Sequence, residues 1–255
     1  MRDPSDPPPD SPATHDELTA GLTEPQARAV THVDGPMLVL AGPGSGKTRV
    51  ITRRIAHLVR GVGIPPWNVL AITFTNKAAG EMRDRVAQLL TERQARAATV
   101  ATFHALCARL LRQHADRLGL PPGYSIYDTA DQKRAIKQAL EDLEINTKNF
   151  PPAGMLGSIS DAKNKLLNAK AYAERAANFY DRTVAKVYTK YEAILKRNAA
   201  QDFDDLLLRT VSLMRGHPDV LASLREHYQY VMIDEYQDTN HAQFVIANAL
   251  AAEHK

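Results

Sequence analysis

Met37-Leu38-Val39-Leu40-Ala41-Gly42-Pro43-Gly44-Ser45-Gly46-Lys47-Thr48 is the stretch on which the fold turns. Four apolar residues read as a short buried strand. They run into a glycine-rich loop that closes on Gly-Lys-Thr. A helical period follows, with Ile51, Ile55, Leu58 and Val59 at i, i+4, i+7 and i+8. Strand, glycine loop and helix in that order are the context in which backbone N–H groups ring a phosphate. Gly42, Gly44, Ser45 and Gly46 form the ring, and the helix N-terminus adds positive potential. Lys47 is placed to bridge the β- and γ-phosphates of a nucleoside triphosphate, and the Thr48 hydroxyl to bind Mg²⁺. Ala41 stands where the eight-residue pattern usually has its first glycine. The loop by itself predicts nucleotide binding and no particular reaction.

Working outward, three more apolar runs read as strands: Val69–Phe74, Thr99–Thr102 and Tyr230–Ile233. Between them the helical period recurs. Met82, Val86, Leu89 and Leu90 mark one helix; Phe103, Leu106, Cys107, Leu110 and Leu111 mark another. Strands alternating with helices predict an α/β fold with a parallel sheet. Residues from about 118 to 217 differ. Apart from Tyr124–Tyr127 they read as helices only, one of them carrying Val184, Val187, Tyr188, Tyr191 and Leu195. Pro121-Pro122 and His217-Pro218 are the boundaries of this insertion.

The last strand ends in Asp234-Glu235-Tyr236-Gln237-Asp238. In a parallel sheet that end shares an edge with the phosphate loop. Asp234 is placed to hold Mg²⁺, and Glu235 to orient and deprotonate an attacking water. Gln237 is a candidate sensor of the γ-phosphate. The plainer alternative is a solvated acidic turn that caps the next helix.

Composition sets the remaining bounds. The chain has 255 residues, 44% hydrophobic and 24% charged, enough for one large or two modest domains. Its net charge is +3, yet the first twenty residues carry Arg2 against Asp3, Asp6, Asp10, Asp16 and Glu17, so the remainder is more basic than the total. That suits a polyanionic partner without requiring one. Five prolines within residues 1–15 predict a disordered tail. No apolar run is long enough for a membrane span, and the N-terminus lacks the apolar core of a signal peptide, so a cytoplasmic protein is expected. The single cysteine, Cys107, lies on an apolar helix stripe and reads as core.

Taken together, these segments resemble the N-terminal portion of superfamily 1A DNA helicases of the UvrD/Rep/PcrA type. Asp-Glu-Tyr-Gln-Asp looks like the second motif of that family. Leu22-Thr23-Glu24-Pro25-Gln26 resembles its Gln motif, Thr73–Ala79 with Glu81-Met82 its motif Ia, and Thr102-Phe103-His104 its motif Ib. Asp202-Phe203-Asp204-Asp205-Leu206-Leu207 resembles a signature of its helical subdomain; read from composition alone it is an acidic helix start, with metal ligation the weaker alternative. The resemblance implies a RecA-like ATP-binding domain 1A over residues 16–117 and 218–255, with a helical subdomain 1B inserted at 118–217. It implies that Gln26 reads adenine and that Arg49 stacks on it. It also implies that Phe74, Thr75, Asn76, Thr102 and His104 touch single-stranded DNA, with core packing an equal reading for Phe74 and the favoured one for Phe103.

By the same resemblance the whole protein would be an ATP- and Mg²⁺-dependent 3′→5′ helicase. It would act on single-stranded DNA and single-strand/duplex junctions, in the bacterial cytoplasm at the nucleoid, with repair or replication proteins as partners. A second motor domain bearing arginine fingers would be needed for full activity, and the interior edge beside the phosphate-loop strand would be left exposed in this chain. The competing readings are a noncatalytic single-strand binding module and a non-motor phosphotransferase; the latter leaves Gln26 and the Thr-Phe-Thr-Asn and Thr-Phe-His segments without a role.

Overall fold

The computed structural model describes residues 15–121 and 123–252. The expected proline-rich tail lies outside them, except for His15 at the start of the first helix. The elements run α1 (His15–Thr19), α2 (Glu24–Thr31), α3 (Lys47–Ala56), β1 (Val69–Thr73), α4 (Asn76–Leu89), α5 (Glu92–Ala97), β2 (Thr99–Thr102), α6 (Phe103–Gln113) and β3 (Ser125–Ile126). They continue α7 (Thr129–Asp142), α8 (Pro152–Asn164), α9 (Ala169–Arg175), α10 (Phe179–Arg197), β4 (Ala200–Gln201), α11 (Phe203–Gly216), α12 (Pro218–His227), β5 (Tyr230–Ile233) and α13 (His241–Ala251). The protein is thus a mixed α/β chain with a small parallel sheet and many helices. It divides into two compact units. One holds the chain through Phe103, Leu221–Asp238 and the stretch from Ala247; the other holds His104–Val220 and Thr239–Ile246.

In the first unit the strand order is β2-β1-β5, all parallel. β1 is central, and Val69, Leu70, Ala71 and Ile72 are fully buried. Each large side chain buried this way contributes roughly 1.5–3 kcal/mol. Ile55 and Val59 from α3 and its continuation, with Met82 and Val86 from α4, pack with Val69, Ala71 and Val100 in one cluster. The spacing read from the sequence is therefore the spacing of the buried face. α3 runs on into a π-helical turn over His57–Gly61. Two arginines of α3 secure the N-terminal helices. Arg53 donates to the Leu18 and Ala20 carbonyls at 3.1 and 2.6 Å, and Arg54 to the carbonyls of Ala29 and His32. These are carbonyls left without intrahelical partners where α1 and α2 end.

One expectation fails here. Met37–Leu40 forms no strand: among the described residues it has no ladder partner, and Leu38 and Leu40 are 71% and 87% exposed. A strand exists by virtue of its neighbours' hydrogen bonds, and apolar composition alone does not supply them. β5, whose one neighbour among the described residues is β1, is likewise only half-buried along its length.

The second unit is helical, built on α7, α8 and α10. Ile136, Leu140, Met155, Ile159, Val184, Tyr188, Tyr191 and Leu195 form its core. The residues Tyr124–Tyr127 do contribute a strand, β3, but it pairs with β4, a partner the sequence did not announce. Asp202 caps α11, accepting the Asp205 N–H at 2.8 Å, and its own N–H reaches the Asp205 side chain at 3.2 Å. The acidic signature is thus a capping box in which Asp takes the place of Glu. It also encloses Lys163. The Lys163 Nζ, wholly buried, lies 2.8 Å from carboxylate oxygens of Asp202, Asp205 and Glu192. Tyr191 donates its hydroxyl to Asp202 at 2.9 Å. Burial alone would lower the Lys163 pKa. Asp205, Asp202 and Glu192 outweigh that and hold the ammonium well above its ordinary value.

Candidate nucleotide and nucleic-acid site

The phosphate loop takes its shape from two glycines with left-handed backbone. Gly44 has φ 74° and Gly46, the residue before α3, has φ 84°. At Gly42 and Gly44 an added Cβ would meet nothing within 4 Å, so the space beside them is open. The Ser45 hydroxyl donates to the Gly42 carbonyl at 2.6 Å and pins the loop across itself. The first N–H groups of α3, which include those of Lys47 and Thr48, have no intrahelical acceptor, and the helix dipole favours an anion in front of them.

The acidic end of β5 meets this loop. The Asp234 N–H extends the β1–β5 ladder by donating to Ile72 at 2.9 Å, which fixes where the next residue emerges. Glu235 then takes a left-handed backbone, φ 50°. Its Oε1 lies 3.6 Å from Lys47 Nζ, and Lys47 also reaches the Ala41 carbonyl at 3.3 Å. Gln237 donates to the other Glu235 oxygen at 2.6 Å. The two carboxyls differ in character. Burial, then the neighbouring Glu235, raises the Asp234 pKa. The Gln237 hydrogen bond, reinforced by Lys47, lowers that of Glu235. The structure therefore brings together Lys47, Glu235 and Gln237, with Asp234 beside them and Thr48 one residue along the helix.

Gln26 lies at the same loop. Its Oε1 accepts the Thr23 N–H at 2.9 Å and its Nε2 donates to the Ser45 carbonyl at 2.9 Å. Both ends of the amide are thus in use, joining the start of α2 to the phosphate loop. The Arg49 guanidinium lies beside Gly21, where an added Cβ would come within 3.4 Å of it. This donor set fits a magnesium nucleotide: open N–H groups at a helix start, one lysine, one threonine hydroxyl and two carboxylates of unequal basicity.

The segments compared with motifs Ia and Ib are more mixed. Thr75 and Asn76 are exposed, but the Thr75 hydroxyl already caps α4 by accepting the Ala78 N–H at 3.1 Å. Phe74 is half-buried and meets Phe103 edge to face at 6.1 Å, and Phe103 is core. Thr102 is buried, which leaves little of it for a ligand. In the helical unit His104 packs edge-on against Phe203 at 5.8 Å, and Phe203 is 45% exposed. Burial lowers the His104 pKa and Asp204 opposes the shift. Phe203 is the residue that sequence reasoning missed as an available aromatic; its place in the acidic signature, one residue after a helix cap, drew attention to the carboxylates instead. Cys107 is buried, its thiol pushed up to about 12 by burial, which makes it inert.

Comparison with known proteins agrees with these features. The chain is 50% identical over 238 residues to an ATP-dependent DNA helicase PcrA of Leuconostoc citreum. It is 45% identical over 235 residues to one of Bacillus subtilis and over 230 residues to one of Staphylococcus aureus. These alignments take in 93, 92 and 90% of this chain and 32, 32 and 31% of the relatives, so the chain spans about a third of their length. Residues 22–255 match the family described as the UvrD/REP helicase N-terminal domain, and with that coverage the chain belongs to this family.

Proposed function

We infer that this chain is the nucleotide-binding portion of an ATP-dependent DNA helicase. The observation that carries the reading is the approach of Glu235 to Lys47, with Gln237 on the other Glu235 oxygen. In the proposed site the loop N–H groups and Lys47 hold the phosphates. Gln26 and Arg49 recognise adenine, for which Gln26 must release the Ser45 carbonyl. Thr48 and Asp234 hold Mg²⁺, which would neutralise charge on the terminal phosphates. Glu235, kept ionised by its neighbours, takes a proton from the attacking water, and Gln237 orients that water. Phe74, Thr75, Asn76, Thr102 and His104 lie along single-stranded DNA, hydroxyls and amides serving its phosphates and aromatics its bases.

In the same reading residues 16–117 and 218–255 form a RecA-like domain 1A and residues 118–217 subdomain 1B, a division by family resemblance that differs in its bounds from the two compact units. The whole protein moves 3′→5′ on single strands and at single-strand/duplex junctions in the cytoplasm, at the nucleoid, alongside repair or replication proteins. Among the described residues no helix is long and apolar enough to cross a membrane.

The test is a pair of substitutions in the full-length protein. Lys47→Ala is expected to abolish binding of a fluorescent ATP analogue. Glu235→Gln is expected to bind it normally while DNA-stimulated hydrolysis falls by a factor of about 10² or more. Equal loss of binding in both variants would refute the division of roles.

A further inference from the structure

Two asparagines lie outside the site just described and have no place in its chemistry. Asn240 comes two residues after the acidic motif and opens α13. Its Oδ1 accepts the Gln243 N–H at 2.9 Å, and its N–H donates to Gln243 Oε1 at 3.0 Å. That fixes the amide: with Oδ1 spent on the cap, Nδ2 points away and donates to Asn164 Oδ1 at 2.7 Å. Asn164, the last residue of α8, donates in turn to Asp204 Oδ1 at 3.1 Å and to the Ser160 carbonyl at 3.0 Å. A carboxylate accepts and does not donate, so the Asn164 amide is also held in one orientation. Asp204 follows Phe203, the aromatic on which His104 rests. The donor–acceptor chain therefore runs in one direction, from Asn240 through Asn164 to Asp204. One end is covalently close to the turn Tyr236–Asp238, and the other is next to the exposed aromatic of α11.

We propose that Asn164 is a positioning residue, through which a nucleic-acid strand held at His104 and Phe203 sets the acidic turn that carries Glu235 and Gln237. The proposal rests on the helicase reading above. Three half-buried groups, two of them amides held in forced orientations, make an element with two states, intact or broken, and not a graded spring. A strand that displaces Phe203 moves Asp204 with it; α8 then shifts the Asn240 cap, and the acidic turn follows its own chain.

The polarity of the chain provides the test. Asn240→Asp preserves the cap on α13, because either carboxylate oxygen accepts the Gln243 N–H, but it presents an acceptor to Asn164 Oδ1. Turning the Asn164 amide over to meet it would set Oδ1 against both Asp204 and the Ser160 carbonyl. The chain is then frustrated with the helix start intact. Adding Asp204→Asn supplies a donor at the far end and removes the first of these repulsions, so the chain re-forms in reverse in part, opposed only by the Ser160 carbonyl. Asp204→Asn alone leaves an acceptor facing Asn164 and is nearly silent.

In the full-length protein, hydrolysis of ATP is measured without DNA and with saturating oligo(dT), together with oligo(dT) affinity and melting temperature. Asn240→Asp is expected to cut the stimulation by oligo(dT) roughly tenfold, the scale of ordinary coupling between sites. The DNA-free rate, DNA affinity and melting temperature should stay as they were, and the double variant should recover part of the stimulation. Unchanged stimulation in Asn240→Asp, an equal fall in the DNA-free rate, or a double variant no better stimulated than Asn240→Asp would each overturn the relay. Absence of stimulation in the unsubstituted protein would overturn the helicase reading, and the relay with it.

Discussion

Asp234 and Glu235 are consecutive carboxylates with opposite tendencies, and the cause lies in what each side chain faces. Asp234 is half-buried beside a second negative charge, so its proton is held more tightly than usual. A carboxyl raised above its unfolded value contributes stability below the ordinary carboxylate range and loses that contribution as the pH rises through its raised value. A divalent cation reverses the preference by favouring the ionised form. The affinity for a magnesium nucleotide is therefore expected to weaken on acidification into the carboxylate range. Asp234→Asn should flatten that dependence while leaving a weaker, pH-insensitive affinity, which titration calorimetry at a series of pH values would show. A wild-type affinity independent of pH would remove Asp234 from the metal site. Glu235 behaves in the opposite way: its amide partner and Lys47 keep it ionised and so available as a base.

At the scale of elements, the clearest dependence is that of α8, α10 and α11 on Lys163. Three carboxylates surround one wholly buried ammonium, Asp202 and Asp205 buried with it and Glu192 reaching the surface. Removing one partner of a buried ion pair leaves uncompensated charge, at about 3–5 kcal/mol. Lys163→Met is therefore expected to lower the stability of the helical unit by that order in urea denaturation. The loss should shrink as the pH falls, since burial raises the Asp205 pKa and protonation discharges that stranded carboxylate. A loss that is small, or that grows in acid, would show that the cluster is not what joins these helices.

The sequence made some of this legible and hid the rest for physical reasons. α3, α4, α6 and α10 were readable because burial of one face enforces a period that survives in the order of residues, while β1, β2 and β5 showed as short apolar runs between helical segments. The approach of Glu235 to Lys47 was expected from a shared sheet edge, and it occurs although Met37–Leu40 forms no strand. The Lys163 cluster was hidden because Asp202 and Asp205 lie 39 and 42 residues from Lys163, and a lysine destined for the interior looks like any other. β4 was hidden because two residues, Ala200 and Gln201, carry no period. The Gln26 contact with Ser45 depends on a side-chain torsion that no pattern records.

At the scale of the molecule, the exposed apolar segment Met37–Leu40 and the half-buried β5 make the chain prone to pairing with copies of itself. Light scattering of the 255-residue chain is expected to show concentration-dependent association. Replacing Leu38 and Leu40 with threonine should shift it toward monomer without altering nucleotide binding; association unchanged by those substitutions would locate the sticky surface elsewhere.

The sheet order has a kinetic consequence of its own. β1 is flanked by β2 and β5, yet residues 103–229 separate those two strands in the chain. The central strand cannot gain its second neighbour until that entire loop has been closed, and closure costs entropy that grows with the logarithm of the loop length. Helices α7, α8 and α10, by contrast, find their partners nearby in sequence. During synthesis the core of α7, α8 and α10 can consolidate while the sheet still waits for β5, so the proposed nucleotide site, which needs Glu235, is completed late.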